Sequence, residues 1–422
     1  MMERKAGNTP ARFLEICRNG NTWEEERKLL LLCFASVFLW GLAAHAYGFL
    51  RAGFSHDMLN ALVTTPVETY WKMQLGRPGI VLYRRLLRGL VAAPWELGIL
   101  SLLWLSLSCF LMTKLFSVHG KLFPVLLAGI LTVNLSIIAM TAGFLYEMDA
   151  DLFAMLMGVG AVFLWNRFGW KSVIPGILLV SICMGTYQSM VSIPITLVML
   201  LSMAALLRGE AFSEVFCKGL MALLMLALGA LLYWILVRAM CSYEQINLSM
   251  DSYNRISSDG SVTLLTRLSR VYKSWIWAFW NPDKAHIEPV VLWLNILLPL
   301  LFLVRLVLWI FGKTVDGKEK ILFLVLLVFL PVGMNTAQLA FSVEAHDLMK
   351  NAFWLLWLLC LLPFFLLPPA RFDRAGKAVA VVMIFVILLS NMQTANVLYT
   401  RKQLEQDACL SLMTRVLYRL ES

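Results

Sequence analysis

Long apolar runs, rather than alternating positions or a single amphipathic stripe, set the pattern of this 422-residue chain. Eleven of them lie near 29–50, 97–116, 122–143, 150–165, 172–187, 189–207, 219–240, 289–311, 321–341, 351–369 and 378–397. Each approaches the roughly 20 residues a helix needs to cross a hydrocarbon core. Helices satisfy their own backbone in lipid, so the pattern predicts an all-α polytopic membrane protein. The fourth and fifth runs are short, and Pro175 and Pro194 predict kinks. No short-period repeat or low-complexity linker divides the chain. One transmembrane domain is expected over 29–397, after a cytoplasmic tail (1–28) and before an outer-face tail (398–422).

Polar positions between the runs are not symmetric. One set of loops holds Lys114 and Lys121, Arg167 and Lys171, Arg208 and Lys218, Lys313, Lys318 and Lys320, and Arg371, Arg374 and Lys377. The opposite short loops carry one basic residue, Lys350. Basic loops stay cytoplasmic, which places the N-terminus inside. Two outer segments, 51–96 and 241–288, are too long to be turns. Within the first, GIVLYRRLLRGLV (79–91) puts Tyr83, Leu86, Leu87 and Leu90 on one helical stripe and Arg84, Arg85 and Arg88 off it. That reads as an interfacial amphipathic helix.

Composition closes off the other classes. Hydrophobic residues make up 60% and charged residues 15%, too few charges to solvate a soluble domain of this length. A net charge of +10 would point to nucleic acid in a soluble protein. Here much of the Lys and Arg serves topology, so the expected partner is the lipid bilayer and not nucleic acid. The eight Cys form no CxxC pair and read mostly as small core residues, with Cys241 and Cys409 facing an oxidising side. Residues 1–28 are too polar for a signal peptide.

A transporter keeps ionisable groups near the membrane midplane. This chain keeps few there, Arg305 and Asn134 among them. Its acids collect instead at outer span ends: Asp57, then Glu147, Asp149 and Asp151, then Glu344 and Asp347, with Asp283 and Glu288. Lys72 and Arg77 lie beside them in TYWKMQLGRPGI, where Gly76 and Pro78 fix the backbone around a guanidinium suited to phosphate. Tyr70, Trp71 and Tyr83 are interfacial anchors or sugar-stacking rings. Glycosyl transfer needs this mixture: a carboxylate to take a proton from an acceptor hydroxyl, and cations to hold a departing phosphate. His45, near the outer end of the first run, reads as a satisfied helix-end histidine.

Asp57, Gly76-Arg77-Pro78, the Glu147-Met148-Asp149-Ala150-Asp151 turn, Tyr187-Gln188, and Asn396 to Tyr399 with Asp407-Ala408 occur in an order that resembles the glucosyltransferase-II family. The resemblance implies a GT-C-like bundle of about eleven transmembrane helices with interfacial helices in its outer loops. It implies transfer of glucose, or a related hexose, from undecaprenyl-phosphate sugar to a cell-envelope glycan such as O-antigen, on the outer face of a bacterial plasma membrane. The implied base is Asp57. Two adjacent acids are common there in the family, whereas this chain has His56-Asp57; an Arg commonly follows span nine on the outer side in the family, and here Lys350 is its nearest counterpart. In this reading Arg77 and Lys72 hold donor phosphate, while His56, Glu147, Asp149, Asp151, Gln188 and Lys350 face sugar or acceptor. Neither cofactor nor metal is called for. A lipid-linked sugar flippase or polysaccharide exporter is the alternative, and a membrane acyltransferase with a deep histidine a third.

Overall fold

The computed structural model describes residues 23–51, 64–248, 263–281, 289–311, 317–340, 344–367 and 373–421. His56, Asp57, Asp283 and Glu288 lie outside them. The described residues are 88% helical, with no strand among them, so the fold is all-α as the apolar runs predict.

The first described helix is α1 (Trp23–Leu50); the next described are short α2 (Pro66–Gln74) and α3 (Pro78–Tyr83), which runs into a π-helical turn (Arg84–Arg88). Next come α4 (Pro94–Phe116), α5 (Leu122–Thr132), α6 (Leu135–Gly143), α7 (Leu145–Phe168) and α8 (Val173–Thr186). A 3-10 turn (Gln188–Val191) leads into α9 (Ser192–Leu207) and then α10 (Phe212–Tyr243). The remaining described helices are α11 (Leu264–Trp280), α12 (Pro289–Ile310), α13 (Gly317–Met334), α14 (Thr336–Ala340), α15 (Leu355–Leu366) and α16 (Asp373–Glu421).

Seven helical runs among the described residues are long and apolar enough to cross a bilayer, or eight if α5 and α6, bent by 43°, form one span. One of those runs, Leu145–Thr186, is a hairpin: Gly158 lies against Cys183 and Gly160 against Leu179, so α7 and α8 are antiparallel. The bend between α5 and α6 comes from Asn134. Its carboxamide accepts from Ile137 N at 3.0 Å to start α6 and donates to Ile130 O at 3.0 Å to close α5. This midplane asparagine is therefore a capping residue. Among the described residues, length and composition alone do not confirm a count of eleven: α15 has 12 residues, and α13 begins with Lys318, Glu319 and Lys320. Leu355–Phe364 of α15 are all buried, as befits a helix apolar on every side. Pro175 and Pro194 sit in the first turns of α8 and α9, where a missing N–H costs little. The prolines inside helices are Pro299, Pro331 and Pro363.

The two ends of the bundle differ chemically. At one end Lys114 pairs with Glu26 at 2.6 Å, the Arg208 guanidinium donates to Phe116 O, and Glu319 caps Phe212 N at 3.0 Å. The other end gathers α2, α3 and the start of α7, the Gln188–Val191 turn, the 344–354 segment and the middle of α16.

Helix α16 carries the last apolar run on into the C-terminal residues. It continues unbroken from Asp373 to Glu421, 49 residues or about 70 Å at ~1.5 Å per residue. Its motif residues tie it to the bundle: Asn396 Nδ2 donates to Ala43 O at 3.1 Å, and Tyr399 Oη donates to His45 Nδ1 at 2.7 Å. His45 Nε2 in turn donates to Thr132 O at 2.9 Å, so both ring nitrogens are satisfied, as its position suggests. Asp407 lies further along, on an exposed stretch where Gln403 Nε2 donates to it at 2.9 Å.

Candidate functional site

Helix α2 folds so that its charges turn inward. Thr65 caps α2 by accepting from Glu68 N at 3.1 Å, and Pro66 occupies the first helical position. Glu68 and Lys72, four residues apart, share one face of this short helix, and both are buried. Gly76 then takes φ +71, a conformation that L side chains rarely adopt, and Arg77 N closes the turn on Lys72 O at 2.9 Å. At Gly79 a Cβ would come within 2.6 Å of the Gly185 carbonyl carbon, so only glycine lets α3 rest on the end of α8.

Residues 79–91 are not the single amphipathic helix that the stripe predicts. Gly89 N bonds Arg84 O at 2.8 Å, a wide π-type turn that resets the helical register. Tyr83, Arg84 and Arg88 face inward, while Leu86, Leu87 and Leu90 remain outside. Two arginines assigned to the headgroup side of the stripe thus belong to the interior.

They meet the acidic first turns of α7. Glu147 Oε1 accepts from Lys72 Nζ; its Oε2 lies 3.5 Å from Arg77 Nη1, and Arg84 Nη2 approaches Oε1 at 3.9 Å. Arg84 Nη1 donates to Glu68 Oε1 at 2.5 Å. Arg88 Nη1 donates to Tyr146 O at 3.0 Å and to Asp149 Oδ1 at 3.4 Å. Four cations and four carboxylates, counting Asp151, are buried together. Charges so far from water persist only when paired and hydrogen-bonded.

Arg77 is gripped from three directions. Its Nε donates to Gln188 Oε1 at 3.1 Å, its Nη1 faces Glu147, and its guanidinium carbon stands 4.7 Å from the Tyr187 ring centroid. The Gln188 amide nitrogen holds the turn itself, 2.8 Å from Leu75 O and 3.2 Å from Gly76 O, and Tyr233 Oη donates to Gly76 O at 3.0 Å. Tyr187-Gln188 and Gly76-Arg77-Pro78 are therefore one structural unit.

Burial, then the neighbouring Arg77 and Arg84 charges, lowers the Lys72 pKa well below the ordinary lysine range; Glu68 and Asp151 oppose the shift. Burial also lowers that of Arg88, with Asp149 as its main counterweight, and raises that of the Tyr83 phenol. Within the cluster three carboxylate oxygens, Glu68 Oε2, Asp149 Oδ2 and Asp151 Oδ1, are buried without a hydrogen-bond partner among the described residues. Also among them, no group of three or more His, Cys, Asp or Glu is arranged to hold a metal ion.

Six residues singled out in the sequence thus come together: Lys72, Arg77, Glu147, Asp149, Asp151 and Gln188. Lys350 does not join them. It is buried in its own segment, paired with Asp347 at 2.7 Å and Glu344 at 3.7 Å. Arg305 is buried within α12, apart from the cluster. Sequence reasoning missed Glu68 and the inward role of Arg84 and Arg88. The only signal for Glu68 was its four-residue spacing from Lys72.

No curated protein and no solved structure matched the chain. The family model described as Glucosyl transferase GtrII matches residues 47–391, from the end of α1 into α16, and so spans the whole charged cluster. The chain belongs to the GtrII glucosyltransferase family.

Proposed function

We propose that this protein moves glucose, or a related hexose, from a polyprenyl-phosphate sugar to a cell-envelope glycan at the outer face of a bacterial plasma membrane. The observation that carries the reading is the buried array of Lys72, Arg77, Arg84 and Arg88 at one end of a GtrII-family helical bundle. A polyprenyl tail stays in lipid while its phosphate and sugar reach the interface, so the site belongs at a bundle end and not at the midplane.

The reaction is an inverting displacement. Asp57 takes the proton from an acceptor hydroxyl as its oxygen forms a bond to the anomeric carbon; the bond from that carbon to the phosphate oxygen breaks. The departing phosphate gains charge, and Arg77 with Lys72 stabilises it. Glu147 and Asp149 hold the cations in place and neutralise them between turnovers. Asp151, with one oxygen lacking a hydrogen-bond partner among the described residues, receives a sugar hydroxyl. Gln188 aims Arg77, while His56, adjacent to the base in sequence, and Lys350 serve sugar or acceptor. Neither a metal nor a cofactor is required for these steps.

Purified protein in nanodiscs, given labelled polyprenyl-phosphate glucose and envelope glycan, tests this. The expected result is free polyprenyl phosphate and labelled glycan in equal amounts. Movement of intact donor between leaflets without cleavage would establish the flippase instead.

A further inference from the structure

A cavity of about 140 Å³ lies between α6, α11, the 344–354 segment and α16, outside the charged cluster. Ile138 and Ala142 form an aliphatic wall, Trp277 and Trp354 supply aromatic faces, and Asp347 and Lys350 are its charged members. We propose that this cavity holds one neutral pyranose residue of the acceptor glycan. The word acceptor rests on the function proposed above; the binding of a sugar ring does not.

Size comes first. An apolar cavity of about 150 Å³ holds a single benzene ring. The enclosed part of this half-open space suits one six-membered ring, with room at its mouth for hydroxyls. Charge comes second. Lys350 Nζ is already answered by Asp347 at 2.7 Å and Glu344 at 3.7 Å, two carboxylates to one ammonium. An ammonium already paired with carboxylates is a poor anchor for a phosphate, and the Asp347 carboxylate keeps lone pairs able to accept from hydroxyls. A pyranose offers both surfaces the cavity asks for, a C–H face for an indole and a rim of hydroxyls for the carboxylate and ammonium.

The aromatic wall is fixed before any ligand arrives. Trp354 Nε1 donates to Ser136 Oγ at 2.9 Å, and its ring packs on Phe279 and Trp357 with centroids 5.4 and 5.1 Å away. Ser136 Oγ donates in turn to Asp347 O at 2.7 Å, which fixes the turn that carries the carboxylate. Preorganised groups lose little freedom on binding. The cavity also lies at the cluster end of the bundle. Ala142 is in the last turn of α6, and the neighbouring Thr141 Oγ1 reaches Met148 Sδ at 3.4 Å, in the same turn of α7 as Glu147.

Saturation-transfer NMR with methyl glucopyranoside, galactopyranoside, mannopyranoside and rhamnopyranoside, on protein in nanodiscs without donor, tests the site. At least one glycoside should give a saturable signal. Ala142→Leu, which fills the cavity, should abolish it. Asp347→Asn should weaken it by roughly tenfold or more, the scale of a hydrogen bond to a charged group. Binding of polyprenyl-phosphate glucose should be unchanged in both variants. The Asp347 side chain is 59% exposed, so that variant decides the matter even if Ala142→Leu does not fold. Absence of any saturable signal, or a signal that survives both substitutions, overturns the proposal. So does loss of donor binding in place of glycoside binding. Because the assay contains no donor, a protein that binds glycosides but transfers nothing refutes the proposed function and leaves the cavity assignment standing.

Discussion

Arg77 Nε and Gln188 Oε1 meet at 3.1 Å across 111 residues of sequence, fastening the turn after α2 to the corner between α8 and α9. The same Gln188 side chain bonds the carbonyls of that turn, so the direction of the guanidinium is set from both sides. An arginine held this way is aimed, whereas a headgroup anchor would be free to swing.

Arg77→Lys should therefore lower turnover by roughly ten- to a hundredfold, the scale of one or two lost charge-assisted hydrogen bonds, and Arg77→Ala by more. Lysine keeps the charge but cannot bond Gln188 and face Glu147 together. Steady-state kinetics in neutral and anionic nanodiscs checks this. Wild-type behaviour of the lysine variant in both lipids would remove Arg77 from the site.

Asp57→Asn should cut turnover by roughly 10²–10⁴-fold while donor binding persists, because only proton transfer is lost. The comparison is single-turnover rate against donor affinity on the same preparation. If the asparagine variant keeps more than a few per cent of the wild-type rate, the base lies elsewhere, with the 147–151 turn next in line.

How much of this was legible in the sequence follows from the physics of each feature. Helical class was readable because apolar runs of membrane length have few other folds. The hairpin of α7 and α8 was readable from Arg167 and Lys171 between two short runs. The π-type turn was not, since a one-residue change of register leaves the pattern of GIVLYRRLLRGLV intact and turns Arg84 and Arg88 inward. Glu68 was invisible for a related reason: a carboxylate in an outer segment looks solvated until its partner, Arg84, is placed. The motif Tyr187-Gln188 was legible as a motif, but its partner was not, because pairing between residues 77 and 188 has no local trace.

The basic loops fix an expected orientation that can be measured directly. With the N-terminus inside, a cysteine at Ser258 should react with an impermeant thiol reagent on intact cells, and one at Lys318 only after the membrane is opened. The reverse pattern would put the charged cluster on the cytoplasmic side.

Arg84 and Glu68 form a nearly water-free pair at 2.5 Å, with side chains only 1% and 4% exposed. Arg84→Met leaves a buried carboxylate unpaired and should destabilise the protein by about 3–5 kcal/mol. Adding Glu68→Gln removes that charge and should restore much of the loss. Thermal unfolding of the two single variants and the double variant in one detergent measures the coupling. Additive losses would mean that the pair is not a unit.

Lys72 connects the electrostatics to pH. Burial and the Arg77 and Arg84 charges hold its folded pKa well below that of an exposed lysine. If the phosphate needs its ammonium, activity is present below that folded pKa and falls as pH rises through it, earlier than an ordinary lysine would allow. Stability moves the other way. Between the folded and unfolded pKa values the unfolded chain binds the extra proton, so the contribution of this group to stability rises with pH across the window. A declining alkaline limb of kcat, with no parallel fall in melting temperature, is the expected signature. Lys72→Arg replaces the titrating group with one that stays charged, so its alkaline limb should flatten whatever its absolute rate. An unchanged alkaline limb in Lys72→Arg would assign the titration to another residue and leave Lys72 as a counter-ion to Glu147 alone.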